Sequence, residues 1–159
     1  MNVWRWSVAA AWLLISAWFE FGVAPNIPFL GVSPSFLMVA LVCLSMYGNR
    51  SDGAIIGFIS GLMTAGSTMV DLTATIVARS TTGFVLGFFN NLELKPTPGV
   101  AFATTFAATV FQRLLLLFLA PPPEIWPYLK ATIGSGLYNA IIAVPTYMIL
   151  STLMGTTRR

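Results

Sequence analysis

The chain has 159 residues, of which 57% are hydrophobic and only 8% are charged. A soluble domain usually carries charge on about a quarter of its residues, so this composition excludes an ordinary soluble globular protein. The apolar residues come in long runs, and the solvent that they face must therefore be lipid. Lipid cannot hydrogen-bond a backbone, and the alternation typical of barrel strands is missing, so we predict an all-α, polytopic integral membrane protein.

Scarce residue types narrow the possible functions. The chain contains no His and a single Cys, Cys43, which lies inside an apolar run. An internal disulfide is therefore impossible, and we expect no metal site of thiols or imidazoles. The isoelectric point of 9.4 would fit nucleic-acid binding. However, the basic residues are scattered singly at the edges of apolar runs, which indicates membrane orientation and no nucleic-acid partner.

The apolar runs predict six transmembrane helices in one compact bundle, a single domain over residues 1–159. Polar, Gly- or Pro-bearing segments such as 120–124 separate the runs, because these residues cannot continue a helix. Residues 53–89 number about forty, which fits either two short crossings or one crossing and a broken helix, and we predict two crossings. The predicted spans are Val3–Val23, Ser33–Tyr47, Gly53–Ala65, Leu72–Phe89, Gly99–Leu119 and Ala131–Met154.

The loop charges predict the orientation of these spans. Basic residues accumulate in the short cytoplasmic loops of membrane proteins. With the N-terminus inside, five basic residues are cytoplasmic and only Lys130 is outside. Two cytoplasmic termini require an even number of spans, which agrees with six. The five predicted cytoplasmic residues are Arg5, Arg50, Lys95, Arg158 and Arg159.

Glycines recur every four residues on the third predicted span, at Gly53, Gly57 and Gly61, and the spacing repeats at Gly83 and Gly87 on the fourth. Such a face is nearly bare backbone, so another helix can approach it closely. Two interpretations remain open. The face packs against the chain's own helices, or it receives the transmembrane helix of a partner, for which Gly57 is the first candidate.

Several polar residues lie inside apolar spans. Arg79, Arg113 with its neighbour Gln112, and Asn139 would all lie about 10–12 Å below the outer surface if the helices rise by 1.5 Å per residue. Glu20 and Asp71 lie nearer that surface, and Asp71 is also placed to cap the fourth span. We therefore predict one polar chamber that opens outward. It is either a structural cluster of hydrogen bonds and ion pairs or a pocket for a ligand or lipid headgroup.

Two prolines are candidates for bending helices. Pro34 lies near the start of the second span and Pro145 lies within the sixth. A proline inside a helix removes a backbone donor and clashes with the preceding turn, which favours a kink. The sequence contains no phosphate-binding loop and no pair of carboxylates at catalytic spacing. We therefore expect neither an enzyme nor a cofactor.

Two segments are informative when taken together: Val32-Ser33-Pro34-Ser35-Phe36-Leu37-Met38-Val39-Ala40-Leu41 and Gly53-Ala54-Ile55-Ile56-Gly57-Phe58-Ile59-Ser60-Gly61-Leu62. They resemble the rod shape-determining protein MreD family. That family has a proline opening its second span, a third span ending in Gly-Leu, and an Asn in its last span, here Asn139. Family members commonly carry an Asp soon after the Gly-Leu, whereas this chain reads Met63-Thr64-Ala65-Gly66, and its nearest acid is Asp71.

This resemblance implies a non-enzymatic scaffold of the bacterial cell-elongation machinery, which supports peptidoglycan synthesis and rod shape. Its expected partner is MreC, a protein with one membrane span, and it would work with the MreB filament, RodA and a penicillin-binding transpeptidase. MreD-like proteins are also similar in fold to the substrate-binding subunits of energy-coupling-factor vitamin transporters. The alternative function is therefore that of such a substrate-binding subunit. The predicted chamber would open on the side from which these subunits bind substrate.

Overall fold

The computed structural model describes residues 1–28, 31–68, 71–89 and 97–155, and this part of the chain contains six α-helices and no strand. The prediction of an all-helical protein is therefore confirmed. A short 3-10 helix, Ala24–Asn26, follows the first α-helix. The helices are α1 (Val3–Gly22), α2 (Phe36–Ser45), α3 (Arg50–Thr68), α4 (Leu72–Phe89), α5 (Pro98–Leu119) and α6 (Ile125–Gly155).

Polar side chains fix where most of the helices begin. Asn2, Ser35 and Thr97 each accept a hydrogen bond from a backbone N–H in the first turn of α1, α2 and α5. The first backbone N–H groups of a helix have no partner within it, so such caps stabilise the start. At α3 the residues Asn49 and Asp52 bond reciprocally, each accepting from the backbone N–H of the other at 3.0 and 3.1 Å.

Helix α2 forms the centre of the bundle. Nine of its ten residues are buried, from Leu37 to Ser45, and it contacts each of the other five α-helices. Because it is apolar on every face, its side chains are all buried only when other helices surround it. Its ten residues rise about 15 Å, which is half the thickness of a hydrocarbon core.

The helices alternate in direction around this centre. Glycines of α3 meet α4 in antiparallel order, with Gly53 against Gly83 and Gly61 against Ile76. Antiparallel contacts also join α5 to α6. By contrast, α2 and α6 run in the same direction, because Ser35 contacts Asn139 near the start of α2 and Cys43 contacts Ala143 further along it. Helices α1, α3 and α5 consequently end on the side where α2, α4 and α6 begin.

Three helical segments are long and apolar enough to cross a membrane: Val3–Asn26, Pro98–Leu119 and Ile125–Gly155. Their outward faces carry large hydrophobic side chains, for example Trp18, which is 67% exposed, and Ile141, which is 61% exposed. Such faces are suited to lipid. These segments are what a membrane protein requires, whereas the count of six crossings remains a prediction.

The glycine face is covered by the chain itself. A β-carbon built on Gly53 would collide with the backbone of Gly83, and one built on Gly57 would collide with the backbone of Arg79. These positions are glycines because α3 and α4 touch backbone to backbone. The surface therefore packs within the chain, which favours the first of the two interpretations over a partner's helix. All five predicted glycines take part: Gly53, Gly57, Gly61, Gly83 and Gly87.

Other predictions need correction at the helix ends. Helix α2 begins at Phe36 rather than Ser33, so Pro34 precedes the capping residue Ser35 and bends no helix. Pro145 does lie within α6, where the kink remains a prediction. Helix α6 begins at Ile125, six residues before the predicted start, because a proline at Pro127 is compatible with a first helical turn. Lys95, Arg158 and Arg159 lie outside the described residues.

Candidate functional site

A polar cavity of about 350 Å³ lies at the end of the bundle where α1, α3 and α5 finish and α2, α4 and α6 begin. It is partly open, and all six helices or their immediate flanks contribute to its walls. The lining residues are Glu20, Ser33, Pro34, Ser35, Thr64, Thr75, Arg79, Thr109, Gln112, Arg113, Leu116, Ala120, Tyr128, Ser135 and Asn139.

Helical spacing brings the polar residues to this cavity. The buried residues of α1 are Ala9, Leu13, Ser16 and Ala17, and Glu20 continues the same stripe by one turn. On α5, Thr105, Thr109 and Gln112 follow one another along a single buried face. Each of these polar side chains thus lies on a helix face that packs into the bundle, so it points inward rather than to lipid.

Ser35 is the hub of the hydrogen bonds. Its hydroxyl donates to Glu20 Oε1 at 3.0 Å and accepts from Arg79 Nη2 at 3.1 Å. It also accepts from the backbone N–H of Met38 at 3.3 Å, which caps α2. One donated and two accepted bonds use the full capacity of a hydroxyl group. The second oxygen of Glu20 accepts from the backbone N–H of Leu37 at 3.1 Å.

Asn139 joins α6 to two other parts of the bundle. Its side-chain oxygen accepts from the backbone N–H of Ser35 at 2.8 Å, and its amide nitrogen donates to Thr109 Oγ1 at 3.3 Å. Asn139 is 1% exposed, so its amide requires such partners. It therefore locks together the start of α2, the middle of α5 and α6 at the base of the cavity.

Arg79 is 3% exposed, yet no carboxylate of the described residues lies within ion-pair distance of it. Its guanidinium donates to the backbone carbonyl of Ser60 at 3.3 Å and to Ser35 Oγ at 3.1 Å. Its Nε–H has no partner among the described residues. The Ser35 hydroxyl bridges Arg79 and Glu20, whose negative charge attracts the guanidinium. The positive charge of Arg113 repels it.

Arg113 is half-buried on the opposite wall. Its Nη2 donates to Ser135 Oγ at 3.0 Å, and its guanidinium lies 5.5 Å from the ring centroid of Tyr128. The Tyr128 hydroxyl in turn donates to the backbone carbonyl of Arg113 at 2.8 Å. These contacts hold the guanidinium in place but use few of its five N–H donors.

The cavity therefore has more positive charge and more donors than it can satisfy. Among the described residues, two guanidinium groups line it and one carboxylate, that of Glu20. The Thr75 hydroxyl and the Arg79 Nε–H are buried without a partner among the described residues. Unpaired buried donors cost free energy, so this arrangement favours a bound acceptor that carries negative charge.

Five of the six residues predicted for a polar chamber line this one cavity, and Asp71 does not. Asp71 is exposed and its carboxylate accepts from the backbone N–H of Ala74 at 3.0 Å, so it caps α4. The cap was predicted and the chamber position was wrong, because a carboxylate that bonds its own first turn stays at the helix end.

Sequence reasoning missed Ser35, Thr75, Tyr128 and Ser135 as cavity residues. Ser and Thr are common in membrane helices, so each one alone gives little signal. A signal did exist for Ser35, which follows Pro34 at the start of a helix and is therefore a candidate cap.

The described residues contain no cluster of three His, Cys, Asp or Glu side chains that could hold a metal ion. Comparisons of the chain with protein-family models, with curated proteins and with solved structures find no match.

Proposed function

We propose that this chain is a non-enzymatic membrane subunit of the bacterial cell-elongation machinery, similar to the rod shape-determining protein MreD, that holds MreC in the membrane. The supporting observation is that the residues which carry the resemblance meet in space. The backbone N–H of Ser35, next to Pro34, donates to Asn139 at 2.8 Å. In this proposal the Pro-Ser turn and the last-span Asn form one structural joint that fixes the bundle.

The same proposal includes six crossings of the bacterial inner membrane with both termini in the cytoplasm. Alternating helix directions support it. Helices α3 and α4 have 19 and 18 residues, and these lengths rise about 27–29 Å, close to the hydrocarbon thickness of about 30 Å. Helix α2 is shorter, but it is enclosed by the other helices and its ends are satisfied within the protein.

The contact surface for MreC has to differ from the glycine face, because α4 already covers that face. A partner span must therefore pack on an outer surface of the bundle, where helices associate through close packing and interhelical hydrogen bonds. Association with RodA, a penicillin-binding transpeptidase and MreB follows from the resemblance alone and stays part of the proposal.

A second candidate is a substrate-binding subunit of an energy-coupling-factor-type transporter. The cavity favours it, because a scaffold has no need of a pocket of about 350 Å³ with two guanidinium groups and unpaired donors. Small-molecule sites in membrane bundles are commonly concave and contain a few convergent polar groups.

Affinity isolation of the full chain from native membrane separates the two candidates. We expect mass spectrometry to show MreC among the co-purifying proteins, enriched over an isolation from membranes that carry the untagged chain. Enrichment of a pair of ATPases would overturn the scaffold and support the transporter subunit. Enrichment of neither would overturn both.

A further inference from the structure

We propose that the cavity is a binding site for one anionic headgroup, a phosphate or a carboxylate, carried by an amphiphilic molecule. This inference goes beyond the scaffold proposal and does not depend on it. For the transporter candidate it would name the substrate class.

The net positive charge of the described residues that line the cavity favours an anionic ligand. Arg79 and Arg113 contribute two positive charges, and Glu20 contributes one negative charge that is already engaged by the Ser35 hydroxyl and the backbone N–H of Leu37. One further negative charge would balance the site. Balance matters here because a charge removed from water and left without a partner is strongly unfavourable.

The unused donors select oxygen acceptors. Arg79 is 3% exposed and its Nε–H has no partner among the described residues, while Thr75, also 3% exposed, has an unpartnered hydroxyl. The bond from Arg113 to Ser135 uses one of the five N–H groups of the guanidinium, so others remain for a ligand. Phosphate and carboxylate oxygens accept several such bonds at once, and charge-assisted bonds are about twice as strong as neutral ones.

Apolar surroundings suggest that the anion belongs to an amphiphile. Leu116 and Tyr128 line the cavity, and the neighbouring residues Phe118 and Trp126 are 83% and 76% exposed. Exposed aromatic side chains at the ends of membrane helices lie at the headgroup level of a bilayer. The anion would thus be held at the level where phospholipid phosphates lie, with its apolar part against these side chains.

The anion has two possible sources, a membrane phospholipid or a free solute, and binding by the purified full chain distinguishes them. In the first arm, native mass spectrometry in detergent compares phosphatidylglycerol with phosphatidylcholine. In the second arm, the thermal stability of lipid-depleted protein is measured with inorganic phosphate and with butyrate. We expect phosphatidylglycerol to bind about tenfold more tightly than phosphatidylcholine, as one charge-assisted contact would produce.

Matched variants assign the effect to the cavity. Arg113→Gln should abolish the preference for phosphatidylglycerol, Arg113→Lys should keep part of it, and Lys130→Gln should leave it unchanged. Lys130 is exposed on α6 and does not line the cavity, so it controls for loss of charge alone. Should Arg113→Gln fail to fold, Thr75→Val supplies the cavity test and should weaken binding.

Stabilisation by phosphate or butyrate without a lipid preference would support the anion site but overturn its amphiphilic occupant. Equal binding of the two lipids together with no effect of either solute would overturn the proposal, as would an equal loss in Lys130→Gln and Arg113→Gln. Because the protein is tested without partners, failure here leaves the capture of MreC unaffected, and failure to capture MreC leaves this binding unaffected.

Discussion

At the scale of single residues, one hydroxyl connects three parts of the bundle. Ser35 caps α2, donates to Glu20 of α1 and accepts from Arg79 of α4. Ser35→Ala leaves buried groups of all three without a partner, and we expect a loss of about 1–3 kcal/mol in the free energy of unfolding. Thermal unfolding in detergent measures it. Ser7→Ala, at an exposed hydroxyl of α1, is the matched control, and an equal small loss in both would contradict the hub role.

Glu20 is the only carboxylate that faces the two cavity arginines within the described residues. Glu20→Gln keeps an acceptor for Ser35 but removes the charge, so we expect a loss of about 1–3 kcal/mol in stability. Adding Arg113→Gln should restore part of it, since the repulsion between the arginines is then removed. Thermal unfolding of the two single variants and the double variant gives the coupling. Asp71→Asn, which retains the cap of α4 outside the cavity, should be nearly neutral.

At the scale of helices, the backbone contact between α3 and α4 predicts opposite effects of one substitution at two positions. Gly57→Ala places a methyl group against the backbone of Arg79 and Ser80, whereas Gly66→Ala meets nothing within 4 Å. We expect Gly57→Ala to destabilise the isolated protein by about 1–3 kcal/mol, from overpacking. Gly66→Ala should be neutral or stabilise by up to about 1 kcal/mol, because Ala favours helix. Equal effects in thermal unfolding would mean that this contact is loose.

The sequence predicted helices whose limits are set by local signals. It did not predict features that depend on contacts between helices. Helix α4 has its predicted limits, Leu72 and Phe89, because Asp71 caps its first turn and the 18 residues that follow contain no proline. The start of α2 was placed three residues early, because the helix was extended back to Ser33 and the capping signal at Ser35 was not used. Small residues at spacing four indicate a close contact in any membrane bundle. Whether that contact lies within one chain or between two chains depends on the fold, and only the structure assigned it to α4.

At the scale of the whole molecule, the sequence predicted that several polar residues meet in one place, but not the shape of the cavity that they line. The similar depths of Arg79, Gln112, Arg113 and Asn139 followed from counting helical residues, and all four line the cavity. Its volume and its unpaired donors depend on how the other helices pack around α2, which no short motif encodes.

The direction of the bundle in the membrane gives the last prediction. Ser51, in the first turn of α3, lies at the end of the bundle opposite to the cavity, while Pro122 lies between α5 and α6 at the cavity end. Arg5, near the start of α1, and Arg50, at the start of α3, favour a cytoplasmic position for the end of the bundle that contains Ser51.

In a Cys43→Ser background, an impermeant thiol reagent added to intact cells should label Pro122→Cys, and it should label Ser51→Cys only after permeabilisation. Cys43 is fully buried, so its replacement removes little background but guards against labelling of unfolded protein. Labelling of both positions in intact cells would contradict the alternation of helix directions across a membrane, and labelling of Ser51→Cys alone would invert the orientation and place the anion site on the cytoplasmic side.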